Sequence, residues 1–129
     1  MIKIFHNPSC SKSREALKYL NDFKLNFEVC EYLKNPISKS DLQDVLTLLN
    51  YSPSDLIRSN ENQFKEHIKG KQLSEEEILE LMLKYPKLIE RPIVIVGEEA
   101  VVARPLEKLK GLFEKLIEIR RENSSKNEK

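Results

Sequence analysis

The chain has 129 residues, of which 40% are hydrophobic and 33% are charged, so we expect one domain with a core and a well-solvated surface. Lysine and arginine number 22 against 21 acidic residues, a formal net charge of +1. This balance argues against a strongly basic nucleic-acid binder. The chain has only three glycines, and their spacing excludes both GxGxxG and GxxxxGKS/T phosphate loops.

The sequence also predicts the cellular compartment. No apolar run approaches the ~20 residues needed to span a bilayer, and the N-terminal segment is too short and too polar for a signal peptide. The two cysteines, Cys10 and Cys30, would be a poor disulfide framework for a secreted domain but suit a reducing compartment. We therefore expect a cytoplasmic protein with no membrane partner.

Hydrophobic periodicity and turn residues divide the chain into helices and strands. In chain order, the predicted elements are a strand at 1–5, a helix at 11–23, a strand at 27–32, a helix capped by Ser40, a helical start at Ser52-Pro53, a helix capped by Ser74 and Glu77 that ends near Tyr85-Pro86, strands at 92–96 and 100–103, and a helix opened by Pro105. Residues 60–70 are polar and ambiguous. The first three elements predict a βαβ unit with parallel strands.

The element order β-α-β, helical block, β-β-α predicts an α/β fold with a four-stranded mixed sheet, a thioredoxin-like arrangement. The helical block, at about residues 38–86, is too small to be assigned as an independent domain. We therefore expect one domain over residues 1–121. Residues 122–129 contain no apolar side chain and are expected to form a flexible tail.

Cys10 is the strongest candidate for a reactive group, because it lies between a predicted strand and a predicted helix. The free N–H groups of a helix start favour a thiolate, which is the nucleophilic form. Ionising most of a thiol at neutral pH requires about 3 kcal/mol, whereas a helix terminus supplies ~0.3–1 kcal/mol. Nearby donors or positive charges must supply the remainder. The candidates close in sequence are His6, Ser11, Lys12, Ser13 and Arg14.

The alternative for any lone cysteine is a small buried hydrophobe, and we assign that structural role to Cys30, inside the second predicted strand. Two familiar thiol motifs are absent around Cys10. Ser13 stands where a CxxC motif needs its second cysteine, and Ala16 stands where a phosphatase-like Cx5R loop needs arginine. A disulfide-exchange cycle at Cys10 would therefore need an outside thiol.

Arg58, Arg91 and Arg104 are candidate anion-binding residues. The last two each precede a proline at the end of a β segment, where binding groups are commonly placed. Arginine suits a tetrahedral oxyanion because its planar group donates paired hydrogen bonds and keeps its charge. Each could instead be a surface arginine or an ion-pair partner. The sequence alone does not show that they converge on Cys10.

Four segments together resemble a known family. HNPSCSKSR at residues 6–14 resembles the HNPxCxxSR motif of the glutaredoxin-coupled ArsC-type arsenate reductases, and LIRSN at 56–60, ERPIV at 90–94 and ARPL at 103–106 resemble that family's arginine segments. The resemblance implies that Cys10 attacks arsenate while the arginines at 58, 91 and 104 hold the oxyanion. It also implies that His6 helps to lower the pKa of Cys10, that Ser13 hydrogen-bonds near the sulfur, and that the Arg91–Pro92 bond is cis.

The reaction implied by the resemblance is the reduction of arsenate to arsenite, with glutathione as co-substrate and glutaredoxin as partner. It requires no metal and no bound cofactor. Three alternatives stay open at this point. They are a glutathione-dependent thiol reductase of another substrate, an Spx-type regulator that binds RNA polymerase, and a binding module with an inert cysteine. Spx-type proteins usually carry CxxC, which Ser13 interrupts here.

Overall fold

The computed structural model describes residues 2–127, and their side chains as far as Glu122. In chain order, the elements are β1 (Ile2–Phe5), α1 (Ser11–Asp22), β2 (Glu28–Cys30), α2 (Lys39–Leu49), a 3₁₀ turn (Pro53–Leu56), α3 (Asn62–His67), α4 (Glu75–Lys84), a 3₁₀ turn (Pro86–Leu88), β3 (Ile93–Val96), β4 (Glu99–Val102) and α5 (Glu107–Asn127). This order confirms the predicted α/β class with helices between the two halves of the sheet.

The four strands form one mixed sheet in the order β2-β1-β3-β4. β1 is parallel to β2, and β3 is antiparallel to both β1 and β4. In this register Phe5 lies opposite Cys30 and Ile93, and Ile93 lies opposite Val102. The segments that follow β1, β2 and β4 and the segment that precedes β3 therefore meet at one end of the sheet.

Alternating side chains of the strands supply two cores, one on each face of the sheet. Ile4 and Val94 pack with α1 and α5 on one face, whereas Phe5 and Ile93 pack with the helical block on the other. The helical block is therefore held to the sheet by buried apolar side chains as well as by the chain connections.

The start of α2 differs from the prediction. The predicted cap was Ser40, but the structure places the cap at Ser38, whose side chain accepts a hydrogen bond from the Asp41 N–H at 3.1 Å. Ser38 has the extended backbone that a cap requires, and Asp41 then lies in the first turn, where a negative charge is favourable. The capping box of Ser74 and Glu77 is confirmed.

The last helix also differs at both ends. α5 begins at Glu107, two residues after the predicted opening at Pro105. At the other end, the helical backbone continues to Asn127, into the segment predicted as a flexible tail. Residues 128–129 of that predicted tail lie outside the described residues. Within residues 2–127, no helix combines the length and apolarity needed to cross a membrane.

Candidate active site

Three of the predicted site residues converge at the end of the sheet where β1, β3 and β4 meet. Cys10 is the residue that caps α1 after β1, Arg91 precedes β3, and Arg104 follows β4. The Ala103 N–H donates to the Pro92 carbonyl at 2.9 Å, which continues the β3–β4 ladder and brings Arg104 beside Arg91. The Arg91–Pro92 bond is cis, as the resemblance implied, and the Arg104–Pro105 bond is also cis.

Arg58 joins this group through a short backbone connection. Ile57 forms an isolated antiparallel bridge with Ile89. On either side of it, the Arg58 N–H donates to the Leu88 carbonyl at 2.7 Å and the Glu90 N–H donates to the Leu56 carbonyl at 2.8 Å. The helical block is thereby tied to the segment that leads into β3. This tie places Arg58 next to Glu90 and thus next to Arg91.

The thiol of Cys10 is half-buried and faces positive charge. Arg104 Nη1 donates to Cys10 Sγ at 3.8 Å. Partial burial raises the pKa of Cys10, but the backbone N–H groups of Ser13 and Lys12 and the Arg91 side chain together lower it more. The net pKa of Cys10 lies below its ordinary value. The helix start supplies part of the stabilisation, and arginine supplies the charge that the sequence analysis required.

His6 and Ser13 form a buried polar pair under the turn that carries Cys10. His6 Nδ1 lies 2.6 Å from Ser13 Oγ, which also accepts a hydrogen bond from the Asn7 N–H at 3.0 Å. Burial lowers the pKa of His6, Glu31 opposes this change and Arg14 adds to it, so the ring is neutral at neutral pH. Ser13 therefore faces the sulfur with its N–H, while its hydroxyl fixes His6 and the β1–α1 turn.

Cys30 has a different environment although it is also half-buried. It lies in β2, and its Sγ is 3.8 Å from Glu28 Oε1. Burial raises the pKa of Cys30, Lys3 opposes this change, and Glu28 raises the pKa further. The thiol is therefore the protonated form over the neutral range. Cys30 lies in the second strand as predicted, but it is half-buried and not the buried residue that the sequence predicted.

Two glutamates in the site were not singled out by the sequence analysis. Glu90 Oε1 lies 2.7 Å from Arg58 Nη1 and 4.0 Å from Arg104 Nη1. Glu61 Oε1 lies 3.4 Å from Arg58 Nε and 3.6 Å from Arg91 Nη1. Among the described residues, Arg58 Nε and both Arg91 Nε and Nη1 are buried without a hydrogen-bond partner. The arginines are thus held in place by carboxylates and still have donors to offer.

Tyr32 is a third site residue that the sequence analysis missed. It follows β2 at the same end of the sheet, is only 2% exposed, and its hydroxyl has no hydrogen-bond partner within the described part of the chain. Burial raises the pKa of Tyr32 to about 12, against the opposing effect of Arg91 and Arg58. The Tyr32 hydroxyl therefore lies beside the arginines of the site.

The chemistry that this arrangement favours is attack by a thiolate on an oxyanion. Arg91 and Arg104 contact the sulfur nucleophile, and Glu61 and Glu90 link Arg58 to these two arginines. Together the three guanidinium groups offer the paired donors that a tetrahedral oxyanion needs. Among the side chains that the structure describes, at residues 2–122, no group of three from His, Cys, Asp or Glu is placed to hold a metal ion.

The model of the ArsC family matches residues 5–112 of the chain. The chain belongs to the ArsC family. The relative from Escherichia coli that is named uncharacterized protein YfgD is 41% identical over 110 residues, covering 84% of this chain and 92% of that protein. A protein named arsenate reductase from Neisseria meningitidis is 38% identical over 114 residues, covering 87% of this chain and 97% of that protein.

Solved structures support the same ArsC assignment. The arsenate reductase of Vibrio cholerae is 36% identical, has a TM-score of 0.79, and covers 84% of this chain and 95% of that one. The thioredoxin-like fold is therefore confirmed. The relatives also include the global transcriptional regulator Spx of Streptococcus pneumoniae, which is 32% identical over 96 residues and covers 74% of this chain and 72% of that protein.

Proposed function

We propose that this ArsC-family protein reduces arsenate to arsenite, with Cys10 as the nucleophile and Arg58, Arg91 and Arg104 as the oxyanion-binding residues. The observation that carries the proposal is the convergence of Arg91 and Arg104 on a thiol of lowered pKa, with Arg104 Nη1 at 3.8 Å from Cys10 Sγ. Glu61 and Glu90 hold Arg58 beside these two arginines. The names of relatives that the chain matches over most of its length add support.

In the first step, the Cys10 thiolate attacks arsenic and a sulfur–arsenic bond forms as one arsenic–oxygen bond breaks. The departing oxygen takes a proton and leaves as hydroxide or water. Negative charge on the arsenic oxygens is met by the guanidinium groups of Arg58 and Arg91. Within the described residues, Arg58 Nε and Arg91 Nε and Nη1 are buried without a hydrogen-bond partner. Donors held in place before the reaction stabilise such charge without reorganising.

In the second step, the sulfur of glutathione attacks the Cys10 sulfur. A disulfide forms, the sulfur–arsenic bond breaks with its electron pair passing to arsenic, and As(V) becomes As(III). A glutaredoxin thiolate then attacks the mixed disulfide at the glutathione sulfur and returns the Cys10 thiolate. The use of outside thiols fits Ser13, which occupies the position of a second CxxC cysteine.

The test is arsenite formation from arsenate by the purified protein with glutathione and glutaredoxin. Cys10→Ser should abolish turnover, a loss of at least about 10³-fold, since the nucleophile is removed. Cys30→Ser is the matched control and should stay within about twofold of the wild type, because no step passes through it. Loss of turnover in the control would show that the single-cysteine assignment is wrong.

The same assay separates the alternatives. A wild-type protein that makes no arsenite but is glutathionylated at Cys10 and recycled by glutaredoxin would be a thiol reductase with another substrate. Capture of RNA polymerase by the purified protein, with no arsenite formed, would favour an Spx-type regulator. The Spx relative supports keeping this second candidate in the test, whereas Ser13 in place of the second cysteine disfavours it.

A further inference from the structure

Glu90 places a negative charge inside a site proposed for an anion. The charged side chains that meet there are the arginines at 58, 91 and 104, the carboxylates of Glu61 and Glu90, and the Cys10 thiolate. Their formal charges cancel. Net attraction therefore does not explain how this site would bind an anion, and the identity of the individual donors and acceptors must decide which anion it accepts.

Glu90 and the nucleophile lie beside the same arginine. Arg104 Nη1 lies 4.0 Å from Glu90 Oε1 and 3.8 Å from Cys10 Sγ, so the carboxylate and the sulfur are no farther apart than the sum of those distances. A tetrahedral oxyanion in a near-attack position lies ~3–3.5 Å from its nucleophile. With one bond from its central atom and a hydrogen bond of ~2.5–2.7 Å, such an anion reaches about as far from the sulfur as that upper bound.

The carboxylate is fixed but still accessible. Oε1 accepts a hydrogen bond from Arg58 Nη1 at 2.7 Å and another from the Arg91 N–H at 3.4 Å, and the Glu90 side chain is 29% exposed. These contacts hold Glu90 at the site without removing it from solvent. An incoming ligand at Cys10 thus meets an acceptor whose position is already set.

We propose that Glu90 determines specificity by accepting a hydrogen bond from a hydroxyl of the bound oxyanion. An ionised carboxylate can only accept hydrogen bonds, so it repels an oxyanion oxygen that carries no proton and binds one that does. Arsenate and phosphate carry a hydroxyl at neutral pH, whereas sulfate does not. The inference rests on the proposed function, since it assumes that an oxyanion binds beside Cys10.

The experiment measures anion binding without arsenate reduction. Cys10 is alkylated with iodoacetamide at pH 7.5 and constant ionic strength. The rate of alkylation is measured by mass spectrometry of the Cys10 peptide at increasing concentrations of inorganic phosphate or of sulfate. The wild type should be protected by phosphate at concentrations at least about tenfold lower than by sulfate, the ratio that 1.4 kcal/mol gives. This comparison needs no variant and therefore no assumption about folding.

Glu90→Gln should bring the two protective concentrations to within roughly threefold, mainly by improving protection by sulfate, because the amide can donate as well as accept. Glu61→Gln is the matched control. It also removes a carboxylate that contacts arginines of the site, namely Arg58 and Arg91, but Glu61 is not the carboxylate that lies beside Arg104. It should keep the tenfold ratio. A preserved ratio in Glu90→Gln, or a lost ratio in Glu61→Gln, would overturn the assignment to Glu90.

Failure of this inference is distinguishable from failure of the proposed function. Equal protection of the wild type by phosphate and sulfate would overturn the role of Glu90 and leave the oxyanion site standing. Protection by neither anion would overturn the oxyanion site itself, and the role of Glu90 with it.

Discussion

Cys10 and Cys30 are both half-buried. Their pKa values nevertheless depart from the ordinary thiol value in opposite directions. Burial raises the pKa of each thiol. At Cys10, backbone N–H groups of a helix start and Arg91 overcome this effect. At Cys30, the strand offers no such donors, and Glu28 raises the pKa further. Reactivity in this protein is therefore set by what surrounds the sulfur and not by how far it is exposed.

Among changes that keep both thiols, the largest expected effect comes from making Cys10 more like Cys30 by removing its charge partner. Arg91→Gln should lower arsenite formation by ~10²–10³-fold, the usual loss for one oxyanion donor, and should raise the pKa of Cys10. Arg91→Lys keeps the charge but loses the paired donors, so it should preserve the low thiol pKa better than the rate. The measurements are arsenite formation and the pH dependence of thiolate absorbance. A normal rate in Arg91→Gln would remove this arginine from the site.

Alkylation of the unmodified protein compares the two thiols directly. Iodoacetamide reacts with the thiolate, and Cys10 has the larger thiolate fraction. At pH 7, Cys10 should therefore be labelled at least about tenfold faster than Cys30. As the pH rises, the labelling rate at Cys10 should reach half of its maximum at a pH below the pKa of an ordinary thiol. The labelling rate at Cys30 should reach half of its maximum at a pH above that pKa. Peptide mass spectrometry after timed quenching measures both sites in one sample. Equal rates across the pH range would contradict the opposite pKa shifts.

A smaller effect is expected from the buried polar pair that supports Cys10 and has no counterpart at Cys30. Ser13→Ala leaves His6 Nδ1 and the Asn7 N–H without their partner, which should lower the free energy of unfolding by about 1–3 kcal/mol. Urea denaturation measures this loss. Ser9→Ala is the matched control, because Ser9 is exposed in the same turn, and it should change stability by less than about 0.5 kcal/mol.

The smallest expected effect is a pH dependence of stability that originates at His6. Burial lowers the pKa of His6 in the folded protein, so below the ordinary value of 6.5 the unfolded chain binds more protons than the folded one. Stability should therefore be complete above pH 6.5 and fall as the pH drops towards the folded pKa. Urea midpoints from pH 5 to 7.5 measure this trend, and His6→Gln should flatten it. An unchanged slope in that variant would assign the trend to other groups.

Much of this comparison could be predicted from the sequence because it depends on local patterns. The strand, the Asn7-Pro8 break and the helical spacing of Ala16 and Leu20 place Cys10 at a helix start without knowledge of the fold. The Arg-Pro pairs likewise place Arg91 and Arg104 at strand ends. What these patterns lack is the register of the sheet, which alone shows that the three segments meet.

The residues that were missed depend on contacts distant in sequence. Glu90 becomes a site residue because the Ile57–Ile89 bridge sets it beside Arg58, and an isolated bridge has no sequence period. The sequence around Tyr32 is typical of a core aromatic residue. Only the structure shows that arginines lie beside its buried hydroxyl, and this contact makes it a site residue. The Ser40 error has a local cause, since two serines two positions apart both fit a cap and only the backbone decides between them.

The bridge between Ile57 and Ile89 also has a thermodynamic consequence. Arg58 belongs to the helical block, whereas Cys10 belongs to the βαβ half of the protein. An oxyanion that contacts both residues therefore binds only the state in which the helical block is docked on the sheet. By mass action, such a ligand stabilises docking by RT ln(1 + [L]/Kd). Phosphate at 100 times its Kd would therefore slow amide hydrogen exchange across α2 and α4, far from any atom it touches, by up to about a hundredfold where exchange requires undocking.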